Sequence, residues 1–200
     1  KQVQDTCGTR LQAALGDISA QIKLDELSVV VFNSTSFERS DVVEIELESH
    51  DYEIWEGSQR LPMQKTEQGT YIFFARGIPS KGYKAFTLRK SSSRLSETSS
   101  SITADSERIE NDYFIVRLNP QGQIESLYHK KLGKDFVQDG KPLNRLIAME
   151  DRPPTDDAWN INAYINEKTW NLDELASCEL VECGPVRCVV RTSRKFMNSV

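Results

Sequence analysis

Histidine is scarce in this chain of 200 residues: only His50 and His129 occur. Neither has a nucleophile and an orienting group beside it, so a His-based general base is not indicated. His50, between Ser49 and Asp51, reads as a surface residue at a strand end, and His129, followed by Lys130 and Lys131, as a hairpin-end residue. Cysteine is limited to Cys7, Cys178, Cys183 and Cys188. The last three form C-x4-C-x4-C, which lacks the C-x2-C knuckle of structural zinc. The expectation is of buried thiols serving as small hydrophobes in a reducing compartment, with no metal and no essential disulfide. No run of about 18 apolar residues is present to span a bilayer, and the opening KQVQDTCGTR lacks the apolar core of a secretory signal. The expectation is a soluble, cytoplasmic protein without a membrane partner, whose mid-pattern start marks it as a piece of a longer one. Without a signal, the sequon Asn33-Ser34-Thr35 reads as a chance match. Nucleophile elbow, phosphate loop, H-E-x-x-H and dinucleotide fingerprint are all missing. Basic charge is also in deficit, 25 Lys and Arg against 30 Asp and Glu for a net charge of -5. That balance excludes nucleic acid as an expected partner, since a phosphate backbone favours a clustered basic face.

What is present is a change of hydrophobic period. Val3, Cys7, Leu11, Leu15, Ile18 and Ile22 recur every three or four positions, the stripe of one helix that must pack on something else. From Leu27 the period becomes two. SVVVF reads as a buried strand, NSTSFERS as a loop, and DVVEIELES as a half-exposed strand with Val43, Ile45 and Leu47 on one face. Glu44, Glu46 and Glu48 on the other face read as a solvated row rather than a metal cluster, because side chains along one strand do not converge. Short strands with Gly and Pro punctuation continue to residue 90, the spacing of a small β-sandwich. KSSSRLSETSSS then has almost no apolar side chains and is too polar to offset its ordering entropy, which marks a linker or mobile loop. Beyond it, SERIENDYFIVRLNPQGQIESLYHKK gives two strands around Asn119-Pro120-Gln121-Gly122, a type I turn sequence. The expected organisation is a helix over 1–24, a small β domain over 25–90, a linker over 91–104 and the first part of a larger β-sandwich over 105–200. The class is mainly β.

One segment fits neither period. In EDRPPTDDAWNINAYIN, Pro153 and Pro154 forbid a helix and hold the chain extended, so the following residues are delivered as a loop or edge segment. Carboxylates beside aromatic rings suit a sugar, whose hydroxyls want charged acceptors while its C–H faces stack on Trp or Tyr. The alternative is a Pro-rich crossover whose Trp159 and Tyr164 pack into the sandwich.

Three stretches resemble one family. VVVFNSTSFERSDVVEIELE is similar to a segment of the form V-x-N-P/S-x-x-W/F-x-R-x-x-x-V that opens the C-terminal β region of α-mannosidases of glycoside hydrolase family 38. NDYFIVRLNPQGQIESLYHKKLGKDF resembles the hairpin that begins its large β super-sandwich, with the pattern G-x-I-x-S-I/L-Y/F-D/H-K. EDRPPTDDAWNINAYIN is similar to the E-D-x-P-x-x-x-D-A-W-D/N-I-x-x-Y segment of the same domain, particularly in bacterial and cytosolic-type members. The resemblance implies a galactose mutarotase-like super-sandwich and a parent enzyme that removes α-linked mannose with retention, one aspartate attacking the anomeric carbon and a second carboxyl acting as acid and then base. It implies zinc, held by two His and two Asp of an N-terminal barrel and a helical bundle outside this chain. No catalytic residue and no metal ligand is therefore expected here, and the helix would be the last of that bundle. Asp157, Trp159 and Tyr164 carry over as substrate-side or domain-interface residues, with Tyr164 the candidate for a sugar-hydroxyl contact. The implied partners are an α-mannoside or oligosaccharide and the catalytic barrel of the same polypeptide, with room for a homodimer. A free-standing carbohydrate-binding module, or a purely structural β-sandwich, is the competing reading.

Overall fold

The computed structural model describes residues 2–48, 52–91, 101–155, 159 and 161–198. His50, most of the expected linker (92–100) and Asp157 lie outside the described residues. The chain divides into two compact units, Lys1–Thr98 and Ser99–Val200.

In the first unit, the expected helix is α1, Gln2–Ser19. Asp5 in its first turn suits the positive end of the helix dipole. None of its residues is buried; Val3 and Leu11 stay exposed, so the stripe stands unpartnered among the described residues. The period-two stretch becomes two antiparallel sheets. One, in the order β1-β7-β3-β4, uses β1 (Ser28–Asn33), β3 (Tyr52–Glu56), β4 (Gln59–Leu61) and β7 (Gly82–Lys90). The other, β2-β6-β5, uses β2 (Arg39–Ile45), β5 (Met63–Lys65) and β6 (Tyr71–Ile78). Alternation along β6 turns Tyr71, Phe73 and Ala75 inward, against Ile54, Phe86 and Leu88 of the facing sheet. Phe73 meets Phe86 edge-on with centroids 5.1 Å apart. Both rings are fully buried, each contributing about 1.5–3 kcal/mol from transfer alone. Val43, Ile45 and Leu47 pack on this core, the face that their alternation assigns them.

The sequon asparagine is part of this architecture. Asn33 ends β1 and is 5% exposed. Its Nδ2 donates to the carbonyl oxygens of Phe37 at 2.8 Å, Ile78 at 3.1 Å and Pro79 at 3.1 Å. Its Oδ1 accepts from the Thr35 backbone N–H at 3.0 Å and the Thr35 hydroxyl at 2.7 Å. One amide thereby ties the β1–β2 loop to the end of β6.

The second unit holds a five-stranded antiparallel sheet, β12-β11-β10-β9-β8, from β8 (Thr103–Ala104), β9 (Arg108–Glu110), β10 (Phe114–Leu118), β11 (Ile124–His129) and β12 (Lys134–Asp135). β8 falls inside the stretch expected as linker, because backbone pairing with β9 needs no apolar alternation. The expected hairpin is β10–β11, its turn closed by the Gly122 N–H donating to Asn119 O at 2.8 Å. Two further hairpins follow, β13 (Ile147–Met149) with β14 (Thr169–Asn171) and β15 (Leu175–Cys183) with β16 (Cys188–Arg194). Among the described residues, every buried hydrophobic side chain lies in the first unit; the second buries Gln123, Glu182 and Arg194 instead.

The expectation of buried free thiols is not met. Cys183 and Cys188 are disulfide-bonded, and Cys7 is exposed rather than buried. The reason is register: β15 and β16 place Cys183 directly opposite Cys188, with Gly184 to Arg187 as the connecting loop. Glu182 and Arg187 close the same hairpin end by two side-chain hydrogen bonds, at 2.8 and 3.2 Å. Cys178 remains a free thiol whose Sγ donates to Ser106 O at 3.2 Å.

Candidate functional site

The segment singled out by its composition leaves the sheet at the end of β13 and returns at the start of β14. Its ends are joined twice. The Glu150 N–H donates to Lys168 O at 3.0 Å, and Glu150 Oε1 accepts from Lys168 Nζ at 3.0 Å and Arg152 Nη2 at 2.7 Å. Lys168 also holds the Glu150 carboxyl below the ordinary glutamate range, foremost through that hydrogen bond, with Arg152 adding to the effect and partial desolvation opposing it. Beneath this clamp, Lys168 Nζ lies 5.1 Å from the centroid of the Trp170 ring, and Trp170 packs edge-on against Phe196 at 5.8 Å. The base of the loop is thus built from a charged clamp on an aromatic footing.

Beyond the clamp, Trp159, Ile161 and Tyr164 face solvent. Pro153 and Pro154 are neither helix nor strand, as the two pyrrolidine rings require. Ala163–Asn166 forms a single 3-10 turn, closed by the Glu167 N–H donating to Tyr164 O at 2.9 Å. Trp159 is 88% exposed, Ile161 76% and Tyr164 60%. The alternative in which Trp159 and Tyr164 pack into the sandwich is not met. Three large side chains of one anchored loop are thus open to solvent.

The remaining candidates have structural surroundings. His129 sits between Phe114, at 4.8 Å, and Phe136, at 6.3 Å, and its Nδ1 accepts from the Leu132 N–H at 3.3 Å. It closes the turn after β11, and among the described residues no nucleophile is bonded to it. Among the described residues no group of three His, Cys, Asp or Glu could hold a metal ion. The Glu150–Lys168–Arg152 cluster was missed by sequence reasoning. Its only trace there was the E-D-x-P start of the motif, since the pairing of residues 150 and 168 depends on strand register.

With the geometry in place, comparison with known proteins gives a consistent result. Residues 109–200 match the family described as Glycosyl hydrolases family 38 C-terminal domain. Alpha-mannosidase G of Dictyostelium discoideum is 28% identical over 170 residues, which is 82% of this chain and 16% of that protein. The crystal structure of an alpha-mannosidase from Enterococcus faecalis V583 superposes with a TM-score of 0.54 at 13% identity, over 84% of this chain and 23% of that one. At that identity the superposition speaks for the fold. Residues 109–200 are thus similar to the C-terminal domain of glycosyl hydrolases of family 38, and the fold resembles that of an alpha-mannosidase. The chain spans only a small part of the length of the relatives it matches.

Proposed function

We propose that this chain is the C-terminal β region of an α-mannosidase, a glycosidase that removes α-linked mannose with retention, and that its 150–168 loop faces the substrate. The observation that carries this reading is the outward presentation of Trp159 and Tyr164 on a loop whose base is clamped by Glu150 and Lys168, inside the region that matches the family. A fixed base lets an exposed ring meet a sugar face with less entropy to lose on binding. Trp159 offers the stacking surface for mannose C–H groups, Tyr164 a hydroxyl for a sugar hydroxyl, and Asp157 a carboxylate in the same stretch. Retention needs two carboxyls flanking the glycosidic bond, and these belong to a catalytic barrel of the same polypeptide, together with the zinc site.

Cytoplasmic location is part of the proposal. No described helix is long and apolar enough to cross a membrane. The Cys183–Cys188 bond weighs against a reducing compartment, so the location is tested directly: recovery of the chain outside the cytosolic fraction of its cells would contradict it.

The test of the function is turnover of an aryl α-mannoside in the presence of zinc, by the chain alone and by the chain joined to the sequence encoded upstream. The joined polypeptide is expected to release the aglycone and the chain alone to match the buffer blank. Release by the chain alone would overturn this division of labour. Saturable binding of mannose by a chain that gains no activity from the upstream sequence would favour the free-standing binding module.

A further inference from the structure

The sequon Asn33-Ser34-Thr35 meets the sequence requirement for N-glycosylation, yet its asparagine side chain makes five hydrogen bonds within the fold. We infer that glycosylation at Asn33 and folding of the first unit exclude each other, so the chain can fold only if this sequon stays unmodified. N-glycan transfer forms a bond from Asn Nδ2 to the anomeric carbon of an oligosaccharide. It breaks that carbon's bond to a lipid diphosphate, which departs with the electron pair, while Nδ2 gives up one proton. The product amide keeps a single N–H. In this fold Nδ2 serves three carbonyl oxygens with its two N–H groups, those of Phe37, Ile78 and Pro79. Replacing one hydrogen removes at least one of these three hydrogen bonds, at a residue 5% exposed. Volume adds to the same conclusion. A sugar ring on Nδ2 would have to occupy the space between the β1–β2 loop and the Ile78–Pro79 backbone, which the amide bridges at 2.8 to 3.1 Å. Sequons that carry glycans lie on solvated surface; this one is a buried tie between the loop and a segment 45 residues away.

A purified oligosaccharyltransferase with a lipid-linked oligosaccharide tests the first half. A peptide spanning residues 28–40 should gain the glycan mass at Asn33, while the folded chain should not. Modification of the folded chain with its melting temperature retained would overturn the inference. So would a peptide that stays unmodified, because the exclusion would then lie in local sequence and not in the fold. The second half is tested by secretory expression of the wild type against Ser34→Pro and Thr35→Ala. Both substitutions remove the sequon and keep Asn33, and each is first checked for wild-type melting when made in bacterial cytosol. Whichever passes is expected to be secreted in greater folded yield than wild type, whose glycosylated fraction should be aggregated or retained. Monomeric secreted wild type carrying a glycan at Asn33 would overturn the inference, as would unchanged yield of a variant that passes the folding check.

Discussion

Arg194 Nη2 donates to the carbonyl oxygens of Gly122, at 3.0 Å, and Gln121, at 2.7 Å, so the last residue of β16 holds the turn of the β10–β11 hairpin. The same guanidinium donates through Nη1 to the Thr192 hydroxyl at 2.9 Å. Gly122 adopts φ +66, and a Cβ there would lie 3.0 Å from both Leu175 Cδ1 and Thr192 Cγ2. Positive φ and close approach thus meet at one residue, which only glycine accommodates freely. Gly122→Ala is expected to lower stability by about 1–3 kcal/mol through strain and crowding. Arg194→Met, which strands the two carbonyls, is expected to cost a similar amount, about 1–3 kcal/mol. Urea denaturation of each variant checks this; a midpoint within error of wild type for both would show that the turn is not held as described.

Trp159 gives the opposite expectation. With 88% of its surface exposed, its removal deletes almost no packing. Trp159→Ala should change the unfolding free energy by no more than about 0.5 kcal/mol. A loss of about 3–5 kcal/mol would mean the indole is a core residue.

The Cys183–Cys188 bond closes a short loop, for which chain entropy gives about 2 kcal/mol of stabilisation. Native chain purified without reductant should therefore present two free thiols, Cys7 and Cys178, to a thiol reagent. Reduction should expose two more and lower the stability of the second unit. Four reactive thiols in the unreduced native chain would contradict the pairing.

Glu150 sets a pH dependence at the base of the loop. Its carboxyl titrates below the ordinary glutamate value of 4.5, chiefly through the Lys168 hydrogen bond and with help from Arg152. A depressed folded value means that the clamp contributes stability above the unfolded pKa and loses it as pH falls through the folded one. Hydrogen exchange over residues 151–167 should accelerate below pH 4.5 in the wild type, and Glu150→Gln should show the faster exchange already at neutral pH. A carboxyl carbon NMR titration of Glu150 with its midpoint at or above 4.5 would rule the clamp out.

Much of the fold was legible because it rests on local alternation. Val43, Ile45 and Leu47 announce their face of β2, and Asn119 to Gly122 announce the turn between β10 and β11. What stayed hidden depends on partners far away in sequence. Asn33 looks like a loop residue with a sequon until the Ile78 carbonyl arrives from 45 positions on, and the cysteine spacing looks inert until the register of β15 and β16 brings two thiols together. Short β8 and β9 carry too few residues to alternate at all. In the candidate site, the prolines and aromatic residues of the 150–168 loop were visible as composition. Its clamp was not, because Glu150 and Lys168 meet only once β13 and β14 pair.

The most direct measurement is kcat/KM for an aryl α-mannoside in the full-length enzyme, wild type against Tyr164→Phe, with melting temperature followed in parallel. Tyr164 is 60% exposed, so loss of its hydroxyl should leave folding untouched. If that hydroxyl meets the sugar and the contact tightens in the transition state, its loss costs about 1 to 3 kcal/mol, roughly a five- to 150-fold fall in kcat/KM. The account predicts that fall at an unchanged melting temperature. An unchanged kcat/KM would contradict the substrate-facing role of the loop.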